Sequence, residues 1–208
     1  IVQNKMPLET YSTYGLTEAA TAFCECPARK GFHSNPDMVY AEVVDDDGRP
    51  VPDNTPGELV VTTFGVEATP LIRYCTGDVT FRIPGTCPCN RAGARIGPII
   101  GRKAQRLKLK GTTVYPRTIE NALVEIEGVE NYVIEAYTGE VNEDRIIVRV
   151  GTNTTETSFA DTVREAIKTK ARVTPQVEIL RPNEVDKILF EGGRRKPLVF
   201  IDRRQKVL

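Results

Sequence analysis

The sequence predicts an α+β (mixed α/β) protein: a small β-rich subdomain followed by a ferredoxin-like β-α-β-β-α-β C-terminal domain. Three observations lead there. Short alternating segments, all five cysteines and most of the fourteen prolines come before residue 100, as in strands joined by turns. Beyond Pro116, apolar residues recur at helical spacing, with alternating segments between. Gly101-Arg-Lys-Ala-Gln-Arg-Leu-Lys-Leu-Lys-Gly111-Thr-Thr-Val-Tyr-Pro116 divides the two parts. It reads as a basic period-two strand closed by glycine, with proline opening the next helix.

Tyr11-Ser-Thr-Tyr-Gly-Leu-Thr-Glu18 reads as a strand running into a loop, with Gly15 where the backbone must bend. Val39-Tyr-Ala-Glu-Val-Val44 alternates as a strand, Asp45-Asp-Asp-Gly48 supplies turn chemistry, and Gly57-Glu-Leu-Val-Val-Thr-Thr63 is the next strand. Leu71-Ile-Arg-Tyr74 and Thr80-Phe-Arg-Ile83 flank a glycine turn at Thr76-Gly77-Asp78. In the second part, Ile119, Ala122, Leu123 and Ile126 form one helix face that Gly128 stops. Two alternating strands follow, at 131–138 and 145–150. Ser158 with Asp161 three residues on predicts a capping box, opening a helix with Phe159, Val163, Ala166 and Ile167 on one face. A strand at 177–180 and the basic strand at 106–110 complete the six-element order.

Lys+Arg and Asp+Glu balance at 28 each, so no global field draws a phosphate backbone and nucleic acid is not an expected partner. The basic strand reads first as a solvated edge. No apolar run approaches the roughly 20 residues that span a bilayer. The opening Ile1-Val-Gln-Asn-Lys-Met-Pro lacks the build of a signal peptide, and its abrupt start reads as part of something longer. An odd, unevenly spaced set of cysteines fits a reducing compartment, so a cytoplasmic location is expected.

Four groups of residues carry chemistry. Tyr14-Gly15-Leu16-Thr17-Glu18 sets a hydroxyl beside a carboxylate. The hydroxyl can donate to a phosphate oxygen, and the carboxylate can hold the Mg2+ that neutralises it. The plainer reading is a helix start. Asp78, after Thr76-Gly77, can accept two hydrogen bonds from a vicinal diol such as a ribose, or can simply close an Asx turn. Arg194-Arg195-Lys196 follows two glycines and is otherwise a solvated basic turn. Cys26, His33, Cys87 and Cys89 offer three thiolates and an imidazole, the donor set of a closed tetrahedral zinc site. Otherwise they are free thiols in loops. Cys24 and Cys75 look like bystanders.

In order and spacing, Tyr14 to Glu18, Ile72 to Asp78, Gly101-Arg102 with Gly111, Val114-Tyr-Pro-Arg-Thr-Ile-Glu120, and Lys196 before Ile201-Asp202 resemble one known set of motifs. It is that of the C-terminal half of adenylate-forming enzymes, and within them the phenylacetate-CoA ligase branch. The resemblance covers essentially the whole chain. It implies that residues 1–101 are the C-terminal part of the large AMP-binding domain and 102–208 the C-terminal lid domain. It implies an ATP-dependent acid-CoA ligase that adenylates an aryl or arylacetic carboxylate, releases pyrophosphate, and passes the acyl group to CoA with release of AMP. Tyr14 would stack on adenine, Gly15 belong to the nucleotide site, Thr17 hold a phosphate, Glu18 take Mg2+, Asp78 grip the ribose and Arg102 assist there. Lys196 would be the mobile catalytic lysine. Some members of this branch share the Cys, Gly-x-His, Cys-x-Cys pattern, which favours structural zinc.

The residue types suit that reaction. A carboxylic acid is already ionised at neutral pH, so its attack needs no general base. The difficulty is negative charge gathering at phosphorus, which a lysine and a magnesium ion can offset. Two features depart from the family. Ala104-Gln105 stands where an acidic residue is usual, and the phosphate-cradling Gly/Ser/Thr loop belongs ahead of Ile1. The chain alone is therefore expected to be inactive. The implied partners are a small aromatic acid, ATP, CoA and the N-terminal part of the same protein, with no nucleic acid or membrane and a homodimer left open. Two alternatives stand beside this reading: a relative that adenylylates another acceptor such as a deazaflavin cofactor, and a non-catalytic, zinc-stabilised binding module.

Overall fold

The computed structural model describes residues 8–109, 111–139 and 144–204. Lys110 of the basic strand and the opening residues 1–7 lie outside them. The chain divides into two compact units, Ile1–Lys103 and Ala104–Leu208. This division falls two residues beyond the expected one after Gly101. Arg102 pairs across strands with Asp78, and Lys103 is ion-paired to Glu58 and Asp46, all in the first unit.

The first unit contains β1 (Thr13–Leu16), β2 (Ala20–Glu25), β3 (Phe32–Ser34), β4 (Val39–Val44), β5 (Gly57–Thr63), β6 (Tyr74–Thr80), β7 (Arg82–Ile83), β8 (Arg95–Ile96) and β9 (Gly101–Arg102). They form two antiparallel sheets, β1-β2-β3-β8-β7 and β4-β5-β6-β9. Ala22, Phe23 and Ile96 of the first sheet pack with Val39, Leu59 and Val61 of the second. The apolar run Leu59, Val60, Val61 of the inner strand β5 is buried throughout.

One expectation is corrected here. Thr76-Gly77-Asp78 is not a turn between two strands but the middle of the single strand β6. Glu58 faces Val79 while Val60 already faces Cys75, so the surplus residues on β6 form a bulge. Gly77 takes φ +73° in it, and its N–H donates to Glu58 Oε1 at 3.1 Å. Asp78 is consequently buried rather than displayed on a turn.

The second unit contains β10 (Leu107–Leu109), β11 (Thr112–Val114), α1 (Pro116–Leu123), β12 (Asn131–Thr138), β13 (Asp144–Gly151), α2 (Phe159–Ala171), β14 (Gln176–Leu180), α3 (Pro182–Leu189) and β15 (Phe200–Asp202). Its main sheet has the order β14-β13-β12-β15. Alternation along β12 sends Ile134 and Ala136 to a core with Ile119 and Leu123 of α1 and Val163 and Ile167 of α2. Val133 faces the other way, onto Val185 and Leu189 of α3.

The α+β class stands, with local departures from the expected six-element order. Leu107–Leu109 pairs with Thr112–Val114, because the glycine turn between them (Gly111, φ +78°) returns the chain at once. The edge beside β12 is taken by β15, in parallel. Helix α3 escapes periodic reading because only Val185 and Leu189 of its eight residues are buried; Pro182 at its first turn was the available signal. Ser158 does not cap α2 with its side chain, since its hydroxyl donates to Glu156 at 2.5 Å. No helix among the described residues is long and apolar enough to cross a membrane.

Leu123 is fully buried in the α1 and α2 core. Leu123→Ala is expected to cost the second unit about 2–5 kcal/mol. Hydrogen exchange of the β12 and β13 amides as a function of denaturant measures it, with the β5 amides of the first unit as the internal control.

Candidate functional site

Asp78 lies between two donors in the first unit. The Tyr14 hydroxyl donates to its Oδ2 at 2.7 Å, and Arg102 Nε meets Oδ1 at 2.9 Å. β1, the bulge of β6, and β9 bring the three together. Asp78 N–H donates to Thr76 Oγ1 (3.1 Å), whose own hydroxyl donates to the Leu59 carbonyl (2.8 Å), so the backbone at the bulge is fixed. A carboxylate has about four acceptor sites, so two remain after these contacts. The half-buried Tyr14 ring packs on Phe23, with centroids 5.6 Å apart. Burial, then donation to Asp78, pushes the Tyr14 phenol well above its ordinary pKa and keeps it a donor.

Gly15, Thr17 and Glu18 follow Tyr14 along the chain and are exposed. Thr17 and Glu18 sit in the turn between β1 and β2, not at a helix start. The Tyr74 hydroxyl donates to Glu18 Oε1 at 3.4 Å, and the Glu18 charge raises the Tyr74 phenol. Sequence reasoning missed this partner and also Glu58. The second Glu58 oxygen takes Lys103 Nζ at 2.8 Å, so Glu58 links the bulge to the last residue of the unit. An acid directly ahead of the apolar run of β5 was the available signal for it.

The metal-type donors also converge. One ligand atom each from Cys26, His33, Cys87 and Cys89 lies within 4.8 Å of the others. Cys26 Sγ and Cys87 Sγ are 3.6 Å apart, and Cys89 Sγ is 3.5 Å from His33 Nε2. Zinc with its usual bond lengths spaces tetrahedral sulfurs by about 3.8 Å and sulfur and nitrogen by about 3.6 Å. The residues therefore fit the ion. Burial, then the charges of Arg91 and Arg95, lowers the His33 pKa, which favours the neutral imidazole a metal requires. The backbone N–H of Cys89 leads the effects that lower the Cys87 thiol, while the Cys89 thiol is raised. His33 Nδ1 is buried without a hydrogen-bond partner among the described residues, so the cluster side of the ring carries its polar contact. Gly31 makes the approach from Cys26 to His33 feasible. It takes φ +91°, and a Cβ there would come 2.6 Å from the Ile96 carbonyl oxygen.

Lys196 belongs to the second unit, exposed on the loop that follows α3. Gly192 and Gly193 take φ +75° and +73°, and a Leu198 N–H to Leu189 carbonyl bond of 2.9 Å closes the loop at its base. Beyond the loop, β15 is clamped by a buried carboxylate that sequence reasoning also missed. Glu135 pairs with Arg203 Nε at 2.8 Å and with Arg149, and accepts from Tyr137 at 3.2 Å. Arg204 holds the carbonyl of Arg106 at 2.9 Å and Asp144 at 3.1 Å, which secures the start of the second unit.

Known proteins are similar to this chain in sequence and in fold. Residues 111–204 match the family described as the AMP-binding enzyme C-terminal domain. A phenylacetate-coenzyme A ligase of Thermus thermophilus is 34% identical over 93% of this chain and 48% of its own length. Over nearly its whole length the chain is thus similar to the phenylacetate-CoA ligase branch of the adenylate-forming enzymes, and residues 111–204 carry their C-terminal domain. This is the family that the motif order pointed to. A phenylacetate-coenzyme A ligase of Aromatoleum evansii, 27% identical over 96% of the chain and 47% of its own length, agrees. The chain spans about half the length of the curated relatives it matches. The structure of a 2-hydroxyisobutyryl-CoA ligase in its postadenylation state with 2-HIB-AMP shares the fold of this chain. Its TM-score is 0.80 at 22% identity, over 97% of this chain and 44% of that one.

Proposed function

We propose that this chain works as part of an AMP-forming acid-CoA ligase, which makes a carbon–sulfur bond. An aryl or arylacetic carboxylate oxygen attacks the α-phosphorus of ATP and pyrophosphate leaves. The CoA thiolate then attacks the acyl carbon and AMP leaves. The observation that carries the reading is the buried Asp78 carboxylate with two acceptor sites to spare, flanked by Tyr14 and Arg102 in the family's motif order. Asp78 takes the ribose diol, and the Tyr14 ring offers a surface to adenine. Thr17, beside Gly15, donates to a phosphate. Glu18 holds Mg2+ together with phosphate oxygens, an arrangement Mg2+ accepts because it needs only one or two protein carboxylates. The Lys196 ammonium offsets charge at the α-phosphate.

Cys26, His33, Cys87 and Cys89 hold a structural zinc whose four positions are filled, so it supplies cross-linking and no Lewis-acid step. A reducing, cytoplasmic setting keeps the remaining cysteines as thiols. The name shared by the relatives favours CoA as acceptor over a deazaflavin cofactor. Tyr14, Glu18, Asp78 and Lys196 standing together in one chain argues against a non-catalytic module.

A chimera in which this chain replaces the matched half of the Thermus ligase tests the reading. With ATP, Mg2+, phenylacetate and CoA it is expected to give pyrophosphate, AMP and the thioester. Pyrophosphate release with no thioester would move the reading to another acceptor. A folded, AMP-binding chimera that releases no pyrophosphate would leave only the binding module. The 208-residue chain by itself is expected to bind AMP weakly in calorimetry and to release no pyrophosphate from ATP. Robust release by the chain alone would show that the phosphate-cradling loop is unnecessary.

A further inference from the structure

We infer that the Tyr14 hydroxyl is a positioning group for ribose recognition: held on Asp78 Oδ2, it sets the plane of the carboxylate so that the spare acceptor sites meet a vicinal diol. The inference rests on the ribose reading of Asp78 given above.

The backbone of Asp78 is already fixed by Thr76 Oγ1, so the freedom left is rotation of the carboxylate about its last torsion. That torsion is broad and roughly two-fold for aspartate, so packing alone does not select an orientation. Two donors on different strands do. Tyr14 of β1 takes one oxygen at 2.7 Å and Arg102 of β9 the other at 2.9 Å. They are unequal constraints. The Arg102 side chain is 60% exposed and can swing, whereas Phe23 steadies the Tyr14 ring. Tyr14 is therefore the fixed end of the pair.

With two of about four acceptor sites occupied, the number remaining equals the number of hydroxyls in a ribose diol. The same residue thus joins two jobs. Its ring is the adenine surface, and its hydroxyl tunes the neighbouring ribose contact through Asp78. Being held protonated, the phenol does not switch this off anywhere near neutral pH.

Tyr14→Phe separates the two jobs, since it keeps the ring and deletes the donor. Binding of AMP and of 2′,3′-dideoxy-AMP to the 208-residue chain, wild type and Tyr14→Phe, is followed by NMR titration, which reads millimolar affinities. Wild type is expected to prefer AMP by about tenfold or more, the usual worth of hydrogen bonds to a charged acceptor. Tyr14→Phe should lose most of that preference by weakening AMP, while the dideoxy nucleotide binds as before. A loss of fold quality would weaken both ligands together, so the ratio isolates the positioning role. As a second readout, adenine stacking shifts the Tyr14 Cζ resonance of wild type with either ligand, and AMP alone should add the further shift of an altered hydrogen bond to Asp78, whatever the stability of the variant. An unchanged preference in Tyr14→Phe, or a Cζ shift identical for both ligands, overturns the inference and leaves the ribose reading intact. A wild type without any preference overturns the ribose reading and the inference with it.

Discussion

Removing zinc, or replacing Cys87 by serine, is expected to lower the melting temperature of the first unit by at least about 10 °C, a stability loss of about 2 kcal/mol or more. The reason lies in what the four residues join. Cys26 follows β2, His33 lies in β3, and Cys87 and Cys89 sit in the loop between β7 and β8. β3, β7 and β8 are only three, two and two residues long, so their ladders contribute few hydrogen bonds. A shared ion closes loops of that kind, and structural zinc supplies up to about 10–16 kcal/mol in peptides with no other core. Here Phe23, Leu59 and Ile96 provide a core independent of the metal, which is why a partial loss is expected and not complete unfolding. The second unit has no cysteine and should melt unchanged.

Elemental analysis of protein purified without added metal is expected to give one zinc per chain. A thiol reagent should then find at most Cys75, which is exposed, and Cys24, which is half-buried. Four or more reactive thiols in native, zinc-free protein would sink the site.

How much of this was legible before folding depended on sequence distance. The metal donors were legible because cysteine and histidine are rare here and the cluster needs only their identities. The likeness to phenylacetate-CoA ligases was legible from motif order. The Tyr14 to Asp78 bond was not, because it spans 64 positions and no periodicity links a phenol to a carboxylate so far away. The bulge at Gly77 was misread as a turn, since a glycine with positive φ serves either, and only the partner strand tells them apart. The same holds for β15. Its place beside β12 is set by pairing across Ile134, Glu135 and Ala136, which no local pattern announces. Glu135 looked like an ordinary polar position in an alternating strand, and burial by Arg149 and Arg203 makes it otherwise.

Lys196→Ala, placed in the ligase chimera, is expected to depress adenylation on the order of a hundredfold or more, the usual cost of losing one contact that stabilises transition-state charge. Negative charge accumulates at the α-phosphorus as the acid attacks and pyrophosphate departs, and an ammonium supplied at that moment lowers the barrier directly. Thioester formation makes a different demand. The thiolate attacks an acyl carbon and AMP leaves, with no new bond to phosphorus, and the resemblance assigns Lys196 to the first step only. Transfer from a supplied acyl-adenylate should therefore survive. Stability should survive too, because Lys196 is exposed on a loop of two positive-φ glycines and surface substitutions of this kind usually stay within about 0.5 kcal/mol. ATP–pyrophosphate exchange, thioester formation from the preformed adenylate, and Tm together read role, timing and structural innocence. If both half-reactions fell equally in a protein of unchanged Tm, Lys196 would serve the whole cycle and its assignment to adenylation alone would fail.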